Sequence, residues 1–236
     1  EVLVPEYLVK GSDDTICNWI SFTNISLTTA PEVLAESGPA IIKKANPDFP
    51  LVYLEGCTNS SFNIDNVILD GNKSEVDFDR NSSLIQVWSN DESCNLTLNL
   101  GKNSPVPEDN NGTYTTILRN NKNNTVRPLL NETAPFGNGA IFLQGHATVN
   151  VYNAQITNNE NCLGSGGAIC YSCFSKAQVY IYGGEISKNK ADFGGAIGKM
   201  SDTLDSQPNV AEMVPTIFIE GGKITNNEAK KAGGGI

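Results

Sequence analysis

The pair Cys170-x-x-Cys173 has the spacing of half a zinc site or of a redox pair. Structural zinc needs a second pair of ligands, and the sequence holds a single histidine, His146. A redox pair needs a strand-to-helix setting, which the surrounding pattern does not predict. We therefore expect no cofactor, and we assign Cys162, Cys170 and Cys173 structural roles as disulfides, which are typical of an oxidising compartment, or as buried thiols. The cysteines are even in number and their pairing stays open: Cys17, Cys57, Cys94, Cys162, Cys170 and Cys173.

Lyase or glycosidase chemistry would need carboxylates with a nearby His or Arg. Asp13-Asp14 is the one adjacent Asp pair, and His146 has no carboxylate within ten residues. The run Glu75-Val-Asp-Phe-Asp79 places three acids on one face of an extended segment, which is more typical of a solvated edge than of a calcium site. The arginines are few and dispersed: Arg80, Arg119 and Arg127. We expect no enzyme. The alternative is a carbohydrate-active enzyme, a polysaccharide lyase or glycoside hydrolase, whose site is shared with coils outside this chain.

The composition excludes several classes of protein. The chain has 236 residues, with 16 Lys and Arg against 26 Asp and Glu and a net charge of -10, so no nucleic-acid partner is expected. No apolar run approaches the ~20 residues of a membrane span, and we expect no membrane insertion in this segment. Polarity comes instead from asparagine, with 29 Asn beside 22 Gly, and together with the recurring Ile and Val this favours β structure.

Asparagine also forms N-x-[Ser/Thr] sequons, all within the first 131 residues. Chance predicts roughly three such sites from the Asn, Ser and Thr content of that stretch. The sequence holds eight, which are its glycosylation candidates: Asn24, Asn59, Asn72, Asn81, Asn95, Asn111, Asn123 and Asn131. The excess indicates a glycosylated chain that is extracellular or held at the cell surface. The alternative is an Asn-rich chain whose sequons are never used.

Two short motifs alternate along the second half of the chain, which indicates a repeat architecture. Gly-Gly-Ala-Ile occurs at 166–169 and 194–197, with variants at 138–141 and 233–236. The copies are 28, 28 and 39 residues apart, and the polar insert 201–211 accounts for the longer interval. The second motif is Ile-x-x-Asn, which ends at Asn159, Asn189 and Asn227.

Alternating apolar residues precede each Ile-x-x-Asn motif, and such alternation predicts half-buried strands. The equivalent pairs are Val149/Val151, Val179/Ile181 and Ile217/Ile219. The strand at the Gly-Gly-Ala-Ile position also continues backward, with Leu51-Val-Tyr-Leu54 and Leu84-Ile-Gln-Val87 in that place. We predict an all-β parallel β-helix, a solenoid of about five to seven coils, over residues 51–236. An irregular N-terminal cap and first irregular coil would occupy residues 1–50. Because the chain stops within a motif, we expect the solenoid to be truncated at its C-terminal end and to belong to a longer protein.

The motif residues would form the corners of these coils. The glycines would allow tight turns with positive φ, and they are Gly166, Gly167, Gly194 and Gly195. The asparagines that end the second motif would occupy turns in left-handed geometry. Each would also hydrogen-bond the Asn one coil away, so that Asn159, Asn189 and Asn227 form a ladder.

The alternation of Gly-Gly-Ala-Ile with Ile-x-x-Asn resembles the repeats of the chlamydial polymorphic membrane proteins. The match is close at 166–169 and 194–197, whereas Ile156, Ile186 and Ile224 stand where that family usually has Phe. The resemblance implies a right-handed parallel β-helix of the pectin-lyase-like kind, displayed on a cell surface, with adhesion to a host protein or glycan as its role.

Aromatic residues on the predicted outward face supply a candidate binding surface. Tyr152, Tyr180, Tyr182 and Phe218 alternate with the inward Val and Ile of the same strands. A row of aromatics on a polar face can bind sugars or a protein partner, and the alternative is stacking that only stiffens the sheet. The inserts 101–114 and 201–211 are further candidate recognition loops. The sequence thus favours a non-enzymatic adhesin segment, a rigid stalk that presents loops and an aromatic face.

Overall fold

A computed structural model describes residues 24–45, 49–56, 59–74, 82–89, 95–107, 113–123, 139–172, 175–200 and 215–236. In these residues the chain is all-β, with 21 strands and one short helix, and every strand pairing is parallel. The predicted all-β class is confirmed.

The strands form four sheets, which we name A to D. Sheet A contains β1 (Asn24–Thr28), β4 (Ser60–Asp65), β7 (Leu96–Leu100), β11 (Ala147–Val151), β15 (Gln178–Ile181) and β19 (Thr216–Ile219). Sheet B contains β2 (Ala40–Lys43), β5 (Val67–Asp70), β8 (Thr116–Arg119), β12 (Ala154–Thr157), β16 (Glu185–Ser187) and β20 (Lys223–Thr225). Sheet C contains β3 (Val52–Glu55), β6 (Ile85–Ser89), β10 (Ile141–Gly145), β14 (Ile169–Tyr171) and β18 (Ile197–Lys199). Sheet D contains β9 (Lys122–Asn123), β13 (Glu160–Ser165), β17 (Lys190–Phe193) and β21 (Glu228–Ala232).

The chain visits the sheets in a fixed cyclic order. It passes from sheet A to sheet B, then to sheet D from β9 onward, then to sheet C, and returns to sheet A. We call one such passage a repeat. Each strand pairs with the equivalent strand of the neighbouring repeat, so residues with the same place in successive repeats lie side by side. Residues that recur at one position of the sequence motif therefore form a column of like residues across the sheet.

Apolar columns form the core between the sheets. In sheet C one column consists of Val52, Ile85, Ile141, Ile169 and Ile197, all buried and in register. Sheet B contributes the Ile156 column, and sheet A the Val149 and Val151 columns. Because burial of one such side chain stabilises a fold by about 1.5–3 kcal/mol, these columns supply the main driving force for folding.

Regular pairing begins before residue 50. Strands β1 and β2 pair in register with β4 and β5. Between them lies α1 (Pro31–Ser37), a helix that the sequence analysis did not predict. Pro31 and the acidic Glu32 favour its first turn, and Gly38, with φ of 78°, ends it by donating a hydrogen bond to the Leu34 carbonyl.

The two glycines of each Gly-Gly-Ala-Ile motif have different roles. The first, Gly166 or Gly194, adopts positive φ, at 71° and 52°. The second is required for space, because a Cβ on Gly167 would lie 2.6 Å from the carbonyl oxygens of Gly195 and Lys190. A Cβ on Gly195 would likewise lie 2.4 Å from the Gly234 oxygen. The predicted conformational role therefore holds for the first glycine, and close backbone packing explains the second.

Candidate functional site on the outer face of sheet A

Four aromatic side chains meet on the outer face of sheet A, and we call them the aromatic cluster: Tyr152, Tyr180, Tyr182 and Phe218. Tyr180 of β15 is in register with Phe218 of β19, and their ring centroids are 4.5 Å apart. Tyr152 and Tyr182 directly follow β11 and β15, with centroids 4.9 Å apart. The ring centroids of Tyr180 and Tyr182, two positions apart in the chain, are separated by 5.9 Å. The strand pairing thus assembles all four predicted residues.

The rings of this cluster face one another. Their planes are inclined by 6° to 11°, and the ring centroids of the two closest pairs are 4.5 and 4.9 Å apart. These distances are close to the spacing of neighbouring strands, about 4.8 Å. Rings lying flat on the sheet could not approach so closely without overlapping, so each ring stands on edge and stacks on its neighbour. The cluster consequently offers ring edges and hydroxyl groups to a partner, while most ring faces are already in contact.

Part of this cluster is open to solvent. Tyr182 is 39% exposed and Phe218 is 40% exposed, whereas Tyr152 and Tyr180 are half-buried. Burial, reinforced by the neighbouring Tyr182, raises the pKa of the Tyr152 hydroxyl. That hydroxyl therefore stays protonated at neutral pH and can donate a hydrogen bond as well as accept one.

The earlier repeats fill the same face with asparagine, in what we call the surface ladder: Asn24, Asn63, Asn99 and Asn150. Asn63 Nδ2 donates to Asn24 Oδ1 over 2.7 Å, Asn99 Nδ2 to Asn63 Oδ1 over 2.9 Å, and Asn150 Nδ2 to Asn99 Oδ1 over 2.8 Å. Asn63, Asn99 and Asn150 are in register with one another and with Tyr180, so the aromatic cluster continues their column. Asn24 is in register with Ser61 and joins the ladder only through its side-chain bond to Asn63. The outer face of sheet A thus changes from polar to aromatic along one column.

The sequons differ in exposure. Asn24, Asn59 and Asn95 are exposed, whereas Asn72 is half-buried and its Nδ2 donates to the Lys44 carbonyl over 3.4 Å. Asn123 differs from them, because its side chain is buried in β9, at 1% exposure. The remaining candidates lie outside the described residues: Asn81, Asn111 and Asn131.

A second asparagine column runs along the corner between sheets B and D, and we call it the corner ladder: Asn121, Asn159, Asn189 and Asn227. Asn159 Oδ1 accepts from the Asn121 backbone N–H over 3.0 Å, and Asn189 Oδ1 accepts from both the backbone N–H and Nδ2 of Asn159. Asn159 Nδ2 also donates to the Leu118 carbonyl over 3.2 Å. Asn227 Oδ1 likewise accepts from the backbone N–H and Nδ2 of Asn189, and Asn227 Nδ2 donates to the Ile186 carbonyl. The predicted ladder is present and binds the backbone as well as itself.

The left-handed residues of this corner are not the ladder asparagines. Positive φ occurs one position earlier, at Asn158, Lys188 and Asn226, with values of 55° to 58°. The prediction of left-handed geometry at Asn159, Asn189 and Asn227 was therefore wrong. The turn residue must bend the chain, and only the next residue then points its side chain inward to the carbonyls.

The described cysteines are not equivalent. Cys162 has a free, half-buried thiol whose Sγ donates to Glu160 Oε1 over 3.3 Å. Burial, together with that hydrogen bond, raises its pKa to about 11, so the thiol is a poor nucleophile at neutral pH. Cys170 is buried in β14. Cys17, Cys57, Cys94 and Cys173 lie outside the described residues. Across the described ranges no group of three or more His, Cys, Asp and Glu side chains could hold a metal ion.

The charged residues that the sequence analysis considered for catalysis are engaged elsewhere or lie outside the described residues. Arg119 Nε is 2.7 Å from Asp70 Oδ2, which also accepts from Asn120 Nδ2. His146 lies on the turn between β10 and β11, and its backbone N–H donates to the Ser89 carbonyl. Outside the described residues lie 13–14, 75–79, Arg80, Arg127 and the insert 201–211.

Sheet D carries a column of alternating charge that no sequence motif indicated. Lys122, Glu160, Lys190 and Glu228 are in register on successive strands. Lys122 Nζ is 4.0 Å from Glu160 Oε2, and Lys190 Nζ is 2.7 Å from Glu228 Oε2. The hydrogen bond between Lys190 and Glu228 is the main reason why the pKa of Lys190 is raised and the pKa of Glu228 is lowered. Each charge thus faces an opposite one.

No family model matches the chain, and no curated protein or solved structure matches it significantly. The resemblance to chlamydial polymorphic membrane proteins therefore rests on the motifs and stays a prediction. Among the described residues, no helix has the length and hydrophobicity that a bilayer crossing would need.

Proposed function

We propose that this chain is a right-handed parallel β-helix that serves as a non-enzymatic adhesin segment, secreted or held at a cell surface, and that its aromatic cluster contacts a protein partner. The proposal rests on the residues that follow the surface ladder on the outer face of sheet A. There the column changes from asparagines bonded to one another to aromatic side chains, two of which are about 40% exposed. Exposed aromatic groups on a flat face are typical of interaction sites.

The cyclic order of the sheets supports the solenoid. Sheets A and B each gain one strand per repeat, up to six strands. With a strand spacing of about 4.8 Å, successive repeats would lengthen the molecule steadily along one axis. Right-handed connections are the rule between parallel strands of one sheet, which favours the right-handed form. Such a column keeps its outer face rigid and at a distance from its base.

The orientation of the rings favours a protein over a glycan as the partner. Sugar recognition by aromatic residues uses an open ring face, and here the faces stack on one another. Ring edges and the hydroxyl groups of Tyr152, Tyr180 and Tyr182 suit the mixed apolar and polar surface of a protein. The net charge of -10 further favours a partner with a basic patch.

No specific observation favours the alternative of a carbohydrate-active enzyme. Arg119 pairs with Asp70, and the carboxylates of sheet D pair with lysines of neighbouring strands. Within the described residues these charges pair with one another. Asp70 lines a pocket with Lys43 and Lys73, and no second carboxylate is among the described residues of that lining.

Binding of the labelled chain to cultured epithelial cells tests the proposal. We expect binding that is lost when the cells are treated with protease and retained when their glycans are removed. Tyr182→Ala should weaken binding to the cells at least tenfold. The matched control is Gln178→Ala, because Gln178 lies two positions before Tyr180 on the same strand and the same face. Equal binding by both variants, or binding abolished by glycan removal alone, would contradict the proposed surface or the proposed class of partner.

A further inference from the structure

Three sequons lie together at the edge of sheet A where its strands begin. Asn24 is the first residue of β1, while Asn59 and Asn95 immediately precede β4 and β7. We propose that the chain carries N-linked glycans at this edge, one on Asn24 and one on either Asn59 or Asn95, and none on Asn123. This inference goes beyond the proposed function and does not depend on it.

The side-chain oxygens of these asparagines are already held by the fold. Asn24 Oδ1 accepts from Ser61 Oγ over 3.0 Å and from Asn63 Nδ2 over 2.7 Å. Asn59 Oδ1 accepts from the Asn95 backbone N–H over 3.0 Å, and Asn95 Oδ1 accepts from Thr148 Oγ1 over 2.9 Å. Each carboxamide is thereby fixed through its oxygen.

The nitrogen is the atom that a glycan needs. Within the described ranges, none of the hydrogen bonds made by these three side chains uses Nδ2 as a donor. The three side chains are also exposed. A sugar on Nδ2 would therefore extend into solvent and leave every hydrogen bond at Oδ1 intact.

The modification is a group transfer from a lipid-linked oligosaccharide diphosphate. The Nδ2–C1 bond forms while the bond from C1 to the diphosphate oxygen breaks, and the lipid diphosphate leaves with the bonding electron pair. The transferase takes one proton from Nδ2, so the remaining N–H and Oδ1 persist in the product. The sequon hydroxyls needed for recognition are present at Ser26, Ser61 and Thr97.

Strand spacing restricts the neighbouring pair. Asn59 and Asn95 occupy adjacent strands, and the Asn59 side chain touches the Asn95 backbone. Side chains on neighbouring strands are about 5 Å apart, which is too close for two branched glycans to leave the sheet side by side. One molecule would thus carry a glycan on one of the two. Asn24 is in register with Ser61, two residues beyond Asn59, and is far enough away for its own glycan.

Asn123 provides the contrast within the same chain. Its side chain is buried within β9 of sheet D. A glycan there would prevent β9 from pairing with β13, so molecules modified at this position would not fold and would not be secreted. A protein that has passed a secretory pathway should therefore lack it.

The test uses the complete 236-residue chain secreted from a eukaryotic cell line. Treatment with a peptide N-glycosidase in heavy-oxygen water marks each occupied Asn, and mass spectrometry of the peptides then gives its occupancy. We expect Asn24 to be occupied, Asn123 to be unoccupied, and the fractional occupancies of Asn59 and Asn95 to add up to no more than one. A known glycoprotein expressed in the same cells reports that transfer is working.

Two sequon variants that keep both asparagines sharpen the result. Thr97→Val removes the sequon of Asn95 and should raise the occupancy of Asn59, and Ser61→Ala should have the reverse effect. Each part of the proposal can be overturned separately beside an occupied reporter. Unmodified Asn24, a marked Asn123, or occupancies of the neighbouring pair that together exceed one or are both near zero would each overturn the corresponding part.

Discussion

The corner ladder and the surface ladder use the same residue for different purposes. Asn159 and Asn150 belong to one repeat and are nine positions apart, yet their surroundings differ. Asn159 lies inside the corner and bonds two backbone groups as well as the neighbouring Asn. Asn150 lies on the half-buried outer face, where its Nδ2 bonds Asn99 Oδ1.

The difference shows that a ladder stabilises the fold mainly through the backbone groups it satisfies. A buried backbone group left without a partner costs about 1–3 kcal/mol, whereas a side-chain hydrogen bond near water contributes about 0.5–1.5 kcal/mol. The corner ladder should therefore be required for folding, and the surface ladder should be replaceable, as the aromatic residues of later repeats already indicate.

Replacing Asn159 with Leu should have the largest effect. Leu has a similar size but leaves the Asn121 N–H and the Leu118 carbonyl without their partner, so the free energy of unfolding should fall by about 3–5 kcal/mol. Urea denaturation followed by circular dichroism measures the loss. A loss below about 1 kcal/mol would show that water replaces the side chain and that the two ladders are equivalent.

Removing an aromatic ring should have a smaller effect. Tyr182→Ala breaks the contacts with Tyr152 and Tyr180, and each aromatic pair contributes about 0.5–1.5 kcal/mol, so we expect a loss of about 2 kcal/mol. Tyr182→Phe keeps the rings and should leave the unfolding midpoint unchanged. If Phe destabilises as much as Ala does, the hydroxyl rather than stacking holds the cluster together.

Asn150→Ala tests the surface ladder directly. It removes one side-chain bond on the outer face, and the free energy of unfolding should fall by about 1 kcal/mol or less. The comparison with Asn159→Leu should be made under identical denaturation conditions. Equal losses in the two variants would remove the distinction between the ladders.

The charge column of sheet D should give the smallest effect, visible as a dependence on pH. The pKa of Glu228 is lowered in the fold, chiefly by its hydrogen bond with Lys190, from an ordinary value of 4.5. Because the folded value lies below the unfolded one, the contribution of Glu228 is present above pH 4.5 and is lost as the pH falls through the lowered value. The difference in thermal midpoint between the wild type and Glu228→Gln should therefore shrink on acidification and in high salt. A difference that stays constant from neutral to acidic pH would mean that the pair does not stabilise the fold.

The sequence predicted the parts of this fold that repeat in residue type. Ile156, Ile186 and Ile224 revealed a strand column, and the Asn three positions after each revealed the corner ladder. Both work because parallel strands in register place like residues side by side, so the chemistry of the column is visible as a motif.

Features that depend on the backbone or on neighbouring strands are not visible in the sequence. Sheet D was not predicted, because strands such as Lys122–Asn123 and Glu228–Ala232 lack apolar alternation and are held by backbone pairing. The burial of Asn123 is not visible in its sequon. The four aromatic residues were predicted to share a face and stacking was considered, but the ring separations follow from strand spacing and are not visible in the sequence.

The alternating charges of sheet D favour pairing between repeats that are neighbours in the sequence. Repeats built from the same Ile and Asn could in principle be paired out of order, because each would fit the place of the next. If a repeat were skipped, Lys122 would meet Lys190 and Glu160 would meet Glu228, so that every contact in the column would join like charges. Successive repeats therefore carry opposite charges at this position. Because like charges directly opposite one another are destabilising, the column disfavours pairing with the next repeat but one.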